Sequence, residues 1–191
     1  MDIDHDNAES FATPAEFCAW LEANHASAPE LWLKMFKRAS GIPSVTWEEA
    51  VIEALAWGWI DGLKKSHDEV AYFQRFTPRK AKSGWSKKNC GHVERLIAEG
   101  RMQAPGLEAV EAAKADGRWE VAYAGSSQME IPREFLDALA ADASAEAFFK
   151  TLNKANLFAI YHRLHTARTE PTRQKRTETI LAMLARGEKF H

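Results

Sequence analysis

The sequence predicts an α+β protein, a small antiparallel sheet packed with helices and followed by an all-helical C-terminal module. Three observations predict it. Residues 30–38 and 60–77 contain apolar residues at alternate positions, the period of a strand. Segments on either side carry apolar residues three and four apart, with capping residues at their starts. From residue 131 onward only the helical period remains.

Residues 1–12 are acidic, poor in periodicity, and predicted to be a disordered tail. Thr13-Pro14 then opens a helix reaching about Ala26, with Thr13 as cap, Pro14 at the first helical position, and Phe17, Trp20 and Leu21 on its apolar face. After Pro29, Leu31, Leu33 and Met35 alternate with Trp32, Lys34 and Phe36, which favours a strand, although the run is short enough for a helix. SGIPS (40–44) is a loop. Thr46 and Glu49 form a capping box, starting a helix with Val51, Ala54 and Leu55 inward. It ends near Trp57, where Gly58 suits a left-handed cap. Residues 60–77 read as an antiparallel hairpin turning at SHDE (66–69). Ser86 is placed to cap a helix bearing Val93, Leu96 and Ile97, and Pro105-Gly106 opens another that stops at Gly117. These elements define an α+β domain over 13–124, a linker at 125–130 and a helical module over 131–191. In the module Pro132 starts the first helix, Ser144 caps the second, the third carries Leu157, Ile160, Tyr161 and Leu164, and the last ends at Gly187.

Composition narrows the function classes. A length of 191 residues suffices for a core without metal or disulfide support. Cys18 and Cys90 have no ligand-like spacing, so reduced thiols are expected, and no cofactor or metal is called for. The longest apolar run, ALAWGWI at 54–60, is too short to span a bilayer, so no membrane insertion is expected. The acidic start MDIDHDNAES lacks the features of a signal peptide, and the expected location is cytoplasmic. Walker, dinucleotide-binding, nucleophile-elbow and C-x-x-C motifs are missing. His162 and His165 are three apart on one helix but have no third ligand in a recognisable pattern.

Charge is unevenly placed. The formal charge is −2, yet residues 74–89, QRFTPRKAKSGWSKKN, hold six Arg or Lys and no acid. The rest of the chain then has 19 basic against 27 acidic residues, a pattern that steers anions towards the basic island. Lys87 and Lys88 would occupy the first turn of a helix, where the backbone dipole already presents positive charge. A bound anion reverses that penalty. Arg75, Arg79, Lys80, Ser83 and Ser86 are the candidate donors, with Trp85 as a stacking face. The plain alternative is a solvated basic loop with Trp85 as a core anchor. In WGWIDGLKK, Trp57 and Trp59 are candidate walls and Asp61 a polar group, or else core residues and a turn carboxylate paired with Arg75 or Arg79.

The ordered series ELWLKMFKRASG, WEEAVIEALAWGWIDG, QRFTPRKAKSGWSKKN, LIAEGRM and GLEAVEAAKADGRW resembles the YdeI/OmpD-associated, or bacteriocin-protection, family. IPREFLDALAAD and TRQKRTETILAMLARGEK resemble its helical C-terminal module. The resemblance covers roughly residues 14–191. It implies an α+β N-terminal part, protection against peptide toxins, and characteristic positions at Trp57, Trp59, Asp61, Arg75, Phe76, Pro78, Arg79, Ser83, Trp85, Ser86 and Asn89.

The leading expectation is therefore a soluble ligand-binding protein with a basic, Trp-lined site for an anionic or aromatic small molecule, with a role in protection or stress. A nucleic-acid-binding module using the same strip and the C-terminal basic helices comes second. An enzyme with an unrecognised site around Asp61 is the third. The sequence specifies no oligomeric state.

Overall fold

The computed structural model describes residues 8–191, and its fold is α+β: a three-stranded antiparallel sheet with helices, and helices alone towards the C-terminus. The first seven residues of the predicted acidic tail lie outside the described residues. The chain divides into two compact units, one holding residues up to 85 together with 89–121, the other holding 86–88 and 122–191.

In the first unit, helix α1 (Pro14–Asn24) starts where Thr13 accepts a hydrogen bond from the Glu16 N–H. Strand β1 (Leu31–Phe36) follows, then helix α2 (Trp47–Ala56), whose predicted capping box between Thr46 and Glu49 is complete. Gly58 has φ +72° directly after the Trp57 cap, the left-handed turn anticipated for a glycine. Strands β2 (Trp59–Ser66) and β3 (Ala71–Pro78) form the predicted hairpin.

The sheet order is β1-β3-β2, so the strand carrying Arg75 is central. Its register decides which side chains share a face, because residues paired across antiparallel strands project to the same side. Leu31 and Asp61 both pair with Phe76, which is fully buried. Asp61 therefore lies on the core face. Arg75 is the next residue along β3 and pairs with Trp32, so it projects to the other face. The expected Asp61–Arg75 pair is incompatible with this register.

A bulge between Asp61 and Lys64 interrupts the β2 ladder. The side chain of Gln74, 2% exposed, donates to the Gly62 carbonyl there at 3.0 Å, so the acceptor released by the bulge is satisfied. The outer edge of β1 is covered too. Glu9 donates to the Trp32 carbonyl and accepts from the Lys34 N–H, so the chain is already paired inside the stretch read as a disordered tail. Phe11 then stacks on Phe17, which meets Phe76 at 5.5 Å.

Helix α3 (Lys87–Ala98) contributes Cys90, Val93 and Leu96 to the core, and helix α4 (Ala104–Ala115) contributes Val110 and Ala113. The contact of α4 with the end of α2 is made by backbone. A Cβ on Gly106 would lie 2.2 Å from the Ala56 carbonyl oxygen, and one on Gly58 would lie 2.8 Å from that of Pro105. The Gln103 N–H donates to Ala56 at 3.0 Å in the same contact.

The second unit packs α5 (Arg133–Leu139), α6 (Ala143–Phe149), α7 (Lys154–His165) and α8 (Glu170–Ala185) around Phe135, Leu139, Ile160, Leu164, Ile180 and Leu184. The expected cap at Ser144 is displaced by two residues. Asp142 caps α6, accepting from the N–H groups of Ser144 and Ala145, since a carboxylate at the helix start accepts two donors where a hydroxyl accepts one less strongly.

Gly106→Ala is expected to destabilise the protein by about 2–3 kcal/mol, the scale of overpacking against a backbone that cannot yield. Gly91→Ala, in α3 with open space around its Cβ position, should instead be neutral or stabilising by up to about 1 kcal/mol. Urea midpoints of the two variants test the pair of opposite signs.

Candidate functional site

Three of the predicted residues meet at one shallow cleft of about 440 Å³ on the first unit: Trp57, Trp59 and Arg79. They arrive from three elements. Trp57 caps α2, Trp59 begins β2, and Arg79 follows β3, its N–H bonded to the Gly58 carbonyl at 2.9 Å. The same carbonyl-rich turn thus fixes the tryptophans and the arginine together.

Trp59 is 1% exposed and Trp57 9%, so they form the floor rather than free stacking platforms. The Trp59 indole N–H donates to the His25 carbonyl at 3.2 Å, and the Trp57 ring meets the His25 ring at 4.6 Å. What a ligand would meet is the rim, made by His25, Pro78, Arg79, Pro105 and Glu108. Sequence reasoning missed His25, Pro105 and Glu108. Pro105 and Glu108 come from α4, and only the two-glycine contact with α2 brings that helix to the cleft.

Arg79 is held in place on two sides. Its guanidinium lies 3.7 Å over the Trp85 ring and donates to the Gly84 carbonyl at 2.6 Å. A stacked guanidinium keeps its charge while losing little freedom on meeting an anion, and stacking of this kind contributes roughly 0.5–2 kcal/mol. Trp85, 2% exposed, is supported in turn by Trp119 at 5.0 Å. So Trp85 is a buried platform for an arginine, which merges the two roles weighed for it.

The other donors are placed elsewhere. Arg75 forms an ion pair with Glu30, whose second oxygen accepts from the Trp32 indole at 3.1 Å. That arginine is committed on the far face of the sheet. Lys80 and Ser83 form a turn, with the Lys80 N–H donating to the Ser83 hydroxyl at 3.1 Å. Arg118, 7% exposed, donates to the Ser83 carbonyl at 2.7 Å and is paired with Asp116. Ser86 belongs to the second unit, where it bridges Tyr123. Asn89 is half-buried in the first turn of α3. The Lys87 N–H, one of the backbone donors expected to meet an anion, bonds the Tyr123 carbonyl at 2.9 Å.

Asp61 is the one carboxylate among the predicted residues, and it is half-buried. Its carboxylate accepts from the Trp47 indole at 3.1 Å. Burial pushes its pKa above the ordinary carboxylate value, an effect partly offset by the Trp47 bond and by the positive charge of Arg79. Among the described residues no group of three or more His, Cys, Asp or Glu is placed to hold a metal ion, and no helix is long and apolar enough to cross a membrane.

A carboxylate whose pKa is raised on folding weakens the native state at neutral pH, where it is ionised. As pH falls through its folded pKa towards the ordinary value, the native state takes the proton first and the penalty fades. Asp61→Asn should therefore melt above wild type at pH 7, with an advantage that shrinks as the solution is acidified. A variant that melts below wild type at pH 7 would mean that Trp47 and Arg79 outweigh burial.

Comparison with known protein families finds two matches. No curated protein and no solved structure matches the chain. Residues 128–187, nearly the whole helical unit, match the family described as Bacteriocin-protection, YdeI or OmpD-Associated. The segments around Trp57 and Arg79 lie outside that range and inside another, residues 9–109, matched by a domain of unknown function. That second match covers more than half of the chain, which thus belongs to the family Domain of unknown function (DUF8412), while residues 128–187 behind it are similar to the bacteriocin-protection family.

Proposed function

We propose that this chain is a ligand-binding protein whose first unit takes an anionic or aromatic small molecule in the Trp57–Trp59–Arg79 cleft. The observation that carries the reading is the presentation of Arg79. Its guanidinium is stacked on Trp85, tethered to Gly84, and placed on the rim of a cleft floored by two indoles. A volume of about 440 Å³ lies within the usual range for small-molecule sites, roughly 300–1,000 Å³. The mixture of apolar floor and one oriented cation suits a planar acid better than a sugar. Glu108 on the same rim disfavours ligands with more than one negative charge.

The family that matches residues 128–187 is described by bacteriocin protection, and that description supports a protective role for this chain. Binding of a toxic peptide or of a small aromatic acid would both serve it, and the cleft is shallow enough to admit one aromatic or acidic side chain of a peptide.

The test is calorimetric titration of the full chain with benzoate, indole-3-acetate and a peptide bacteriocin. Binding should weaken by about tenfold or more in Arg79→Ala, the scale of a lost charge-assisted pair. It should strengthen several-fold in Glu108→Lys, an exposed position whose change leaves the core alone. Equal affinity in wild type and both variants would remove the cleft from the function.

A further inference from the structure

A cleft in the second unit is unlike the first. It measures about 780 Å³ and lies along α7 and α8, lined on its polar side by His162, Arg163, Lys175 and Arg176, with the hydroxyl-bearing Thr166, Thr172 and Thr179 among them. No Asp or Glu is part of its lining. Ile180, Pro171 and Phe190 supply an apolar wall. We infer that this cleft is a binding site for a phosphomonoester of nucleotide size, the phosphate held by Arg163, Lys175 and Arg176 and the organic part against Ile180 and Phe190.

The two arginines are positioned, not merely near one another. Arg176 donates to the Arg163 carbonyl at 2.6 Å and to the Thr166 hydroxyl at 3.1 Å, which fixes its guanidinium against the end of α7. Arg163 lies 4.0 Å over the ring of Phe190. That ring is itself anchored by Asn156, 1% exposed, whose side-chain oxygen accepts from the N–H groups of Phe190 and His191 at 2.9 and 3.1 Å. A buried polar residue thus holds an aromatic ring, and the ring orients an arginine over the cleft.

The energetics favour an anion. Among the described residues no carboxylate forms an ion pair with Arg163, Lys175 or Arg176, whereas Arg173 on the same helix is paired with Glu170. Three cations concentrated without acids repel one another, and the native state bears that cost unless an anion relieves it. Burial, and then the positive charges of Arg163, His165 and Arg176, hold the His162 pKa below the usual imidazole value, which reports the same positive field. Two guanidinium forks and an ammonium match the tetrahedral oxygens of a phosphate, and the Thr172 hydroxyl, which accepts from Thr169 at 2.9 Å and keeps its own proton to donate, adds a further donor. The volume exceeds what inorganic phosphate fills, and the apolar wall calls for a ring or chain attached to it.

Thermal shift and calorimetry of the full chain with inorganic phosphate, AMP and adenosine test the site. AMP should stabilise more than inorganic phosphate at equal millimolar concentration, and adenosine should not stabilise. Lys175→Glu, at an exposed helix position, should weaken AMP binding by about tenfold or more while the unliganded protein melts no lower than wild type. Arg163→Ala should weaken it similarly, and Arg79→Ala should leave it unchanged, so the outcome is separate from that of the cleft in the first unit. No response to either phosphate compound, or a response undiminished in Lys175→Glu and Arg163→Ala, overturns the site. Affinity for oligodeoxythymidylate that climbs with its length and exceeds that for AMP would also overturn it, and would make the surface a nucleic-acid interface.

Discussion

The first unit depends on a backbone contact that tolerates no side chain. At Gly106 the start of α4 comes so close to the Ala56 carbonyl that a methyl group would overlap it, and Gly58 meets Pro105 with a left-handed φ. From that contact the rest of the cleft follows. The turn at Gly58 ends α2, starts β2, and offers the carbonyl that receives Arg79 from the end of β3. Because main-chain atoms meet directly there, the α4 rim residues Pro105 and Glu108 are set beside the tryptophans with little freedom to move away. A looser contact through long side chains would have left the cleft dimensions to rotamer choice.

Three arginines of this unit show how local partners decide what a positive charge does. Arg75 faces Glu30 across the outer face of the sheet, and its charge is cancelled within the fold. Arg118 is almost fully buried, neutralised by Asp116 and spent on the Ser83 carbonyl, so it shapes a loop. Arg79 is carried on an aromatic ring and a carbonyl, partners that orient its guanidinium. Charge density along the sequence made Arg75 and Arg79 look alike. Only the chemistry of the group opposite each one separates them.

That difference marks where reading the sequence succeeds and where it stops. The capping box at Thr46–Glu49, the left-handed glycine at position 58 and the hairpin across 60–77 are local, because their causes lie within a few residues of their effects. The α+β class followed from such signals added along the chain. The cap of α6 was misplaced by two residues because Asp142 and Ser144 are both competent cap types, and the carboxylate, which accepts from two N–H groups, is the one used. For the site, Trp57, Trp59 and Arg79 were legible as residue types in an acid-free, aromatic stretch. The commitment of Arg75 was not, since it depends on strand register, and one step of register moves a side chain to the other face. Glu30 carries no signal in the sequence beyond being an acid before a strand.

The same rule explains why the helical unit's cleft was overlooked. Along the chain Arg163, Arg173 and Arg176 make the C-terminal helices basic, but they are interleaved with Glu170 and Glu178, so no stretch of sequence marks a site. Folding sorts them by helix face. Glu170 is drawn to Arg173, three residues away on α8, while Arg176 turns to the end of α7 and meets the carbonyl of Arg163. The acids are thereby removed from the cleft, and the cations of two helices are gathered on one wall that no single helix contains. A site assembled in this way has no motif, since its spacing runs across α7 and α8 rather than along either. Its positive field is produced by the packing of the unit, and by Asn156 in particular, which holds Phe190 where Arg163 can lie upon it.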